Sequence, residues 1–169
     1  MQPASSSKKW LYIGLAVLVL IILGFMFMGR GGPGSAYFVP GADVDRNLDG
    51  STTYTTEDGS VTVGGGASMP DNWPSDAPAA YSGAQILYSG STNPTTGAAG
   101  SAVAYTTTAS VQSVVEYYNS RLKAEGWTIT ASADAGGMKV ITATKDTRTF
   151  GAYIGSDGTT TSVTAGIEL

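Results

Sequence analysis

The sequence predicts an α+β fold: an N-terminal single transmembrane helix, then a two-layer ββαββββ domain with one helix packed on an antiparallel sheet. Three observations carry that expectation. Trp10 to Met28 is a run of nineteen residues without a charge, and at ~1.5 Å per helical residue it reaches roughly 28 Å, close to the ~30 Å hydrocarbon layer of a bilayer. Val111, Val114, Val115, Tyr118 and Leu122 recur at helical spacing, while Gln112, Glu116, Asn119, Arg121 and Lys123 take the other side. After the helix the period switches to two, with Trp127, Ile129 and Ala131 on one face of a strand.

In chain order, residues 1–9 form a short cytoplasmic tail and residues 10–28 the membrane span. Gly14 and Gly24 are tolerated in the span because lipid gives the backbone no water to turn to. A cleavable signal peptide competes with this reading, since Gly34-Ser35-Ala36 could be cut. Its apolar region, however, exceeds the usual ~7–15 residues. Lys8, Lys9 and the terminal amine oppose the single Arg30 across the run, which places the N-terminus inside and residues 31–169 outside. Residues 29–68 are rich in Gly, Ser, Thr and Asp and read as a flexible spacer with one candidate hairpin, Ser51 to Tyr54 against Ser60 to Val63 around Asp58-Gly59. Residues 69–169 are the extracytoplasmic α+β domain.

That domain opens with Met69 to Pro78, whose three prolines exclude helix interior and central strand and leave an extended lead-in that packs Trp73 on the domain. Two strands follow, Ala84 to Ser89 and Ser101 to Thr107, joined by a long loop. Thr108 or Ser110 caps the helix, and Gly126 stands where a left-handed residue closes it. Beyond the Trp127 strand come Met138 to Thr144, Arg148 to Ile154 and Thr159 to Glu168. In the last of these Val163, Ala165, Ile167 and Leu169 share a face. A domain of roughly ninety residues holds one modest core.

Composition narrows the chemistry. With Lys8, Lys9 and Arg30 set aside, six of nine basic residues face all thirteen acidic ones, a balance of −7 with no basic cluster. Nucleic acid is therefore not an expected partner. There is no cysteine and no histidine, which removes thiolate chemistry, His-based triads and the usual zinc hydrolases. The chain is read as a non-enzyme.

The lead-in from Met69 to Gln85, the segment Val115-Glu116-Tyr117-Tyr118 with Leu122 and Gly126-Trp127, and Ala143-Thr144-Lys145 resemble a recurring domain of small signal-anchored bacterial membrane proteins whose function is unassigned. The resemblance covers residues 60–169, with Ala80 an extra residue before Tyr81. It implies an extracytoplasmic domain and transfers no catalytic or binding residue.

The sharpest motif is Asp45, Asn47 and Asp49 with Gly50, which reproduces the first half of a calcium loop, alternate oxygen ligands followed by a turn glycine. Its second half is defective, since Thr56 stands where a bidentate Glu belongs. A weak calcium site competes with a solvated Asp-rich turn. Tyr117, with Tyr81, Tyr88, Tyr105 and Tyr153, marks a tyrosine-rich domain suited either to recognition or to finishing a small core. Gly64-Gly65-Gly66 lacks the Lys and the helix of a phosphate loop. The function expected is a membrane-anchored extracytoplasmic interaction or scaffold module with an unidentified protein or envelope partner. The alternatives are a pilin-like envelope subunit and a small-ligand or glycan-binding domain assisted by calcium.

Overall fold

The structure, a computed structural model, describes residues 43–56, 59–92 and 99–169. The elements are β1 (Asp43–Arg46), β2 (Thr52–Thr56), β3 (Gly59–Val63), β4 (Gln85–Thr92), β5 (Gly100–Thr107), the helix α1 (Val111–Ala124), β6 (Thr128–Ala135), β7 (Met138–Lys145), β8 (Arg148–Ser156) and β9 (Thr161–Glu168). The strands form one nine-stranded sheet in the order β1-β2-β3-β4-β5-β9-β8-β7-β6. Every neighbouring pair is antiparallel. Five strands meander inward from one edge, α1 carries the chain to the opposite edge, and β6 to β9 meander back until Val103 of β5 faces Ala165 of β9.

This overturns the expected α+β class and its ββαββββ domain: the fold is mainly β, nine strands with one helix among the described residues. The three additional strands come from the stretch read as spacer. Two of them, β2 and β3, fall on the candidate hairpin read there, and the short alternation of β1 to β3 puts Val44, Tyr54, Val61 and Val63 on the face away from the helix, which announces a local hairpin but not its place in the larger sheet. Their helix-side residues are polar, and hydroxyl pairs join them: Thr53 Oγ1 lies 2.9 Å from Thr62 Oγ1, and Ser60 Oγ 3.1 Å from Ser91 Oγ. Backbone pairing to β4, with Val63 opposite Tyr88, recruits these strands into the larger sheet. The transmembrane span expected over residues 10–28, with its flanking tail, lies outside the described residues. Among the described residues no helix is long and apolar enough to cross a membrane.

The helix forms where its periodicity and caps agree. Ser110 is the N-cap, its Oγ accepting from the Ser113 N–H at 3.1 Å. At the other end Gly126 takes φ +81°, with the Gly126 N–H bonded to the Lys123 carbonyl at 3.2 Å and the Trp127 N–H to the Leu122 carbonyl at 2.8 Å. These two bonds make a Schellman closure, and the left-handed residue is glycine because a Cβ is disfavoured there. The inner stripe Val114, Tyr118 and Leu122 is fully buried against Val103, Tyr105, Phe150, Ile154 and Val163. Beside the helix the lead-in completes the cover, Trp73 standing edge-on to Phe150 at 6.5 Å and 87°. One sheet face therefore holds the core. On the other, Gly90, Ala102, Gly166 and Gly151 align across β4, β5, β9 and β8, with Tyr88 and Tyr153 in the adjacent row.

Candidate functional site

The tyrosines that the sequence groups together are divided by the fold. Tyr105 of β5 and Tyr118 of α1 are both completely buried, and their hydroxyls lie 3.0 Å apart. Burial pushes the Tyr105 hydroxyl up to about 12 and holds Tyr118 well above the ordinary tyrosine range. Both stay neutral, so the pair is a hydrogen-bonded strut between sheet and helix rather than an acid–base device. Tyr88 and Tyr153 belong to the opposite face of the sheet.

Tyr117 is placed differently. It follows the inner stripe by less than a turn and sits at the rim where α1 meets the end of the lead-in. Its ring stands edge-to-face with Tyr81 at 5.2 Å and 74°, and with Tyr118 at 5.4 Å and 66°. Its hydroxyl donates to the Ala79 carbonyl at 3.3 Å. Val111, Val115 and Ile86 lie partly buried on the same core. The result is a half-buried aromatic rim with fixed ring geometry, in which large apolar area is presented without the cost of ordering free side chains.

The strongest electrostatic cluster centres on Asp76. Its carboxylate accepts a bidentate pair from Arg148, at 2.8 Å and 2.7 Å, and a third bond from Lys145 at 2.6 Å. Lys145 also donates to the Glu125 carbonyl at the end of α1, at 2.7 Å. The Arg148 guanidinium lies 5.1 Å from the centre of the Trp127 ring, and Trp127 donates its indole N–H to the Asp76 carbonyl. The bonds from Arg148 and Lys145 hold the Asp76 carboxyl far below the usual carboxylate range. Both cations are engaged by the one carboxylate, so the cluster clasps the lead-in to the β7–β8 hairpin. Sequence reasoning missed it. Asp76 and Arg148 are 72 positions apart, and the available signal was two cations flanking the Asp146-Thr147 turn.

The residues predicted for calcium form the β1–β2 hairpin. Asp45 is exposed in β1, opposite Thr53. Asn47 donates from Nδ2 to Ser51 Oγ at 2.8 Å and Thr53 Oγ1 at 3.2 Å. Asp49 Oδ1 accepts from the Ser51 N–H at 2.9 Å and its hydroxyl at 2.8 Å, which lowers its pKa. Gly50 turns at φ +86°. Asn47 and Asp49 thus close the turn with their own hydrogen bonds, while Asp45 projects from the strand. The glycine run has its reason here too. A Cβ on Gly64, itself at φ +116°, would lie 2.8 Å from the Gly50 carbonyl oxygen, and one on Gly66 would overlap the Asp49 side chain.

Among the described residues no group of three or more His, Cys, Asp or Glu is arranged to hold a metal ion. A family model described as START domain-like matches residues 88–162, from Tyr88 in β4 through α1 to Ser162 in β9. No curated protein and no solved structure matches this chain.

Proposed function

We propose that this chain is a non-catalytic interaction module, held outside a membrane by residues 10–28 with its N-terminus inside, and that the rim around Tyr81 and Tyr117 takes a protein partner of the envelope. The observation that carries this reading is the edge-to-face pair at 5.2 Å, half-buried at the seam of lead-in and helix and fixed by the Tyr117 bond to Ala79. Rigid amphipathic aromatics are the side chains that concentrate binding energy at protein interfaces. The test is purification of the full chain from solubilised membranes beside a Tyr81→Ala/Tyr117→Ala variant that keeps its circular dichroism. A partner held by the wild type and lost by the variant is the expected result. Retention of the same partner by both would sink it.

A second reading, a small-ligand domain, is favoured by the START domain-like match together with Trp73. Its indole N–H is buried without a hydrogen-bond partner among the described residues, and buried donors are normally satisfied. A ligand acceptor under the lead-in would meet that need. Native mass spectrometry of the purified chain should then release a small molecule that Trp73→Phe, which keeps a ring and loses the donor, no longer retains. Calcium at Asp45, Asn47 and Asp49 belongs to this reading, through the Asn47 Oδ1 and Asp49 Oδ2 atoms that the turn bonds described above do not engage. Calorimetry flat up to millimolar calcium removes it.

A further inference from the structure

The sheet has two edges, and they are treated differently. The edge strand β1, Asp-Val-Asp-Arg, has three charges in four residues, a defence against strand addition. The edge strand β6, Thr-Ile-Thr-Ala-Ser-Ala-Asp-Ala, carries no proline and no cation, and every residue of it but Ile129 is exposed. Its one irregularity, a bulge between Ile129 and Ala131, leaves Ala131 to Ala135 in regular register with β7. The two-residue turn Gly136-Gly137, at φ +61° and +85°, makes Ala135 and Met138 the hydrogen-bonded pair that closes the hairpin. Alternation then turns the N–H and C=O of Ala131, Ala133 and Ala135 toward β7, and those of Ser132 and Asp134 outward, where β6 has no strand neighbour among the described residues.

We infer that β6 pairs antiparallel with β6 of a second copy of this chain, about a two-fold axis through Ala133. The sequence around that axis is self-complementary. In this register Ser132 of each copy faces Asp134 of the other, so the outward backbone groups exchange bonds in two pairs, and each Ser132 hydroxyl donates across the axis to a carboxylate. Lys139, 2.7 Å from Asp134 within its own hairpin, neutralises that charge. The alanine side chains on the other face meet without steric conflict, and the contact is isologous, so it closes at a dimer. The guarded β1 edge does not compete for the same strand.

Ala133 faces its own counterpart as a non-hydrogen-bonded pair, with Cα atoms about 4.5 Å apart, inside the ~4.4–6.8 Å that a disulfide spans. The chain has no cysteine, so single introduced thiols report the register. In the detergent-solubilised full chain, mild oxidation of Ala133→Cys is expected to give mostly disulfide-linked dimer, while Ala131→Cys and Thr159→Cys stay at collisional background. Ser132→Pro, which removes an outward N–H and no bond to β7, or Ser132→Asp, which sets carboxylate against carboxylate, should abolish that cross-link when added to Ala133→Cys. Cross-linking of Ala133→Cys no faster than Thr159→Cys overturns the proposal, as does a cross-link indifferent to both Ser132 substitutions.

Discussion

Tyr105 and Tyr118 show at the residue scale how a polar group is accommodated in a small core. The Tyr118 hydroxyl, costly to bury alone, lies 3.0 Å from that of Tyr105, which is also hydrogen-bonded to the Tyr81 backbone. Tyr105→Phe should therefore cost about 1–3 kcal/mol, because it strands the Tyr118 hydroxyl. The double Tyr105→Phe/Tyr118→Phe chain should recover part of that loss, and a denaturation cycle giving simple additivity would contradict the pairing. Asp76 makes a different prediction. Its folded carboxyl is held below the unfolded value of about 3.9, so its contribution to stability is complete above about pH 4 and drains away as pH falls toward the folded value. Asp76→Asn should be weaker than the wild type by roughly 1–2 kcal/mol at neutral pH, and the gap should close in acid. A gap that is constant from pH 7 to about 2.5 would show that the clasp does not titrate as its geometry implies.

At the scale of elements, α1 and the β1–β2 hairpin are positioned by opposite means. The helix carries its own instructions: stripe, N-cap and glycine closure all agree, and Ser110→Ala should lower stability by about 1 kcal/mol by removing the bonds of its hydroxyl to the Ser113 N–H and hydroxyl. The hairpin depends on its neighbour. Gly64 at φ +116° lies against the Gly50 carbonyl, so Gly64→Ala should cost more than about 1 kcal/mol. The loss should appear in hydrogen exchange first in β1 and β2, with β5 and β9 unaffected at the same temperature. Uniform loss across all nine strands would mean that the first three are not a separable unit.

Across the molecule, stability should follow position in the sheet rather than order in the chain. β5, β9 and β8 are flanked on both sides and hold most of the fully buried side chains, so their amides should exchange slowest, at or near global unfolding. β1 and β6, at the edges, should exchange fastest in dilute solution. A chain concentration that slows Ser132 and Asp134 while leaving β1 unchanged would connect this gradient to pairing through β6.

What the sequence by itself determined is the local part of this protein. Residues 111–124 declare a helix because an apolar stripe and its caps are near-neighbour properties, and β5 with β7 to β9 is legible because each strand must bury one face. Trp73 in the lead-in was legible for the same reason. Only the tertiary structure decided how large the sheet is: a hairpin at β2 and β3 was legible, but it joins β4 by backbone pairing and hydroxyl contacts on its helix-side face, which local alternation does not announce. It also decided which tyrosines are strut and which are rim, because Tyr117 and Tyr118 are adjacent in sequence and differ only in the side of the helix each presents. The Asp76 clasp lay beyond sequence reasoning: a carboxylate chooses its cations by where three distant segments meet, and that is set by packing.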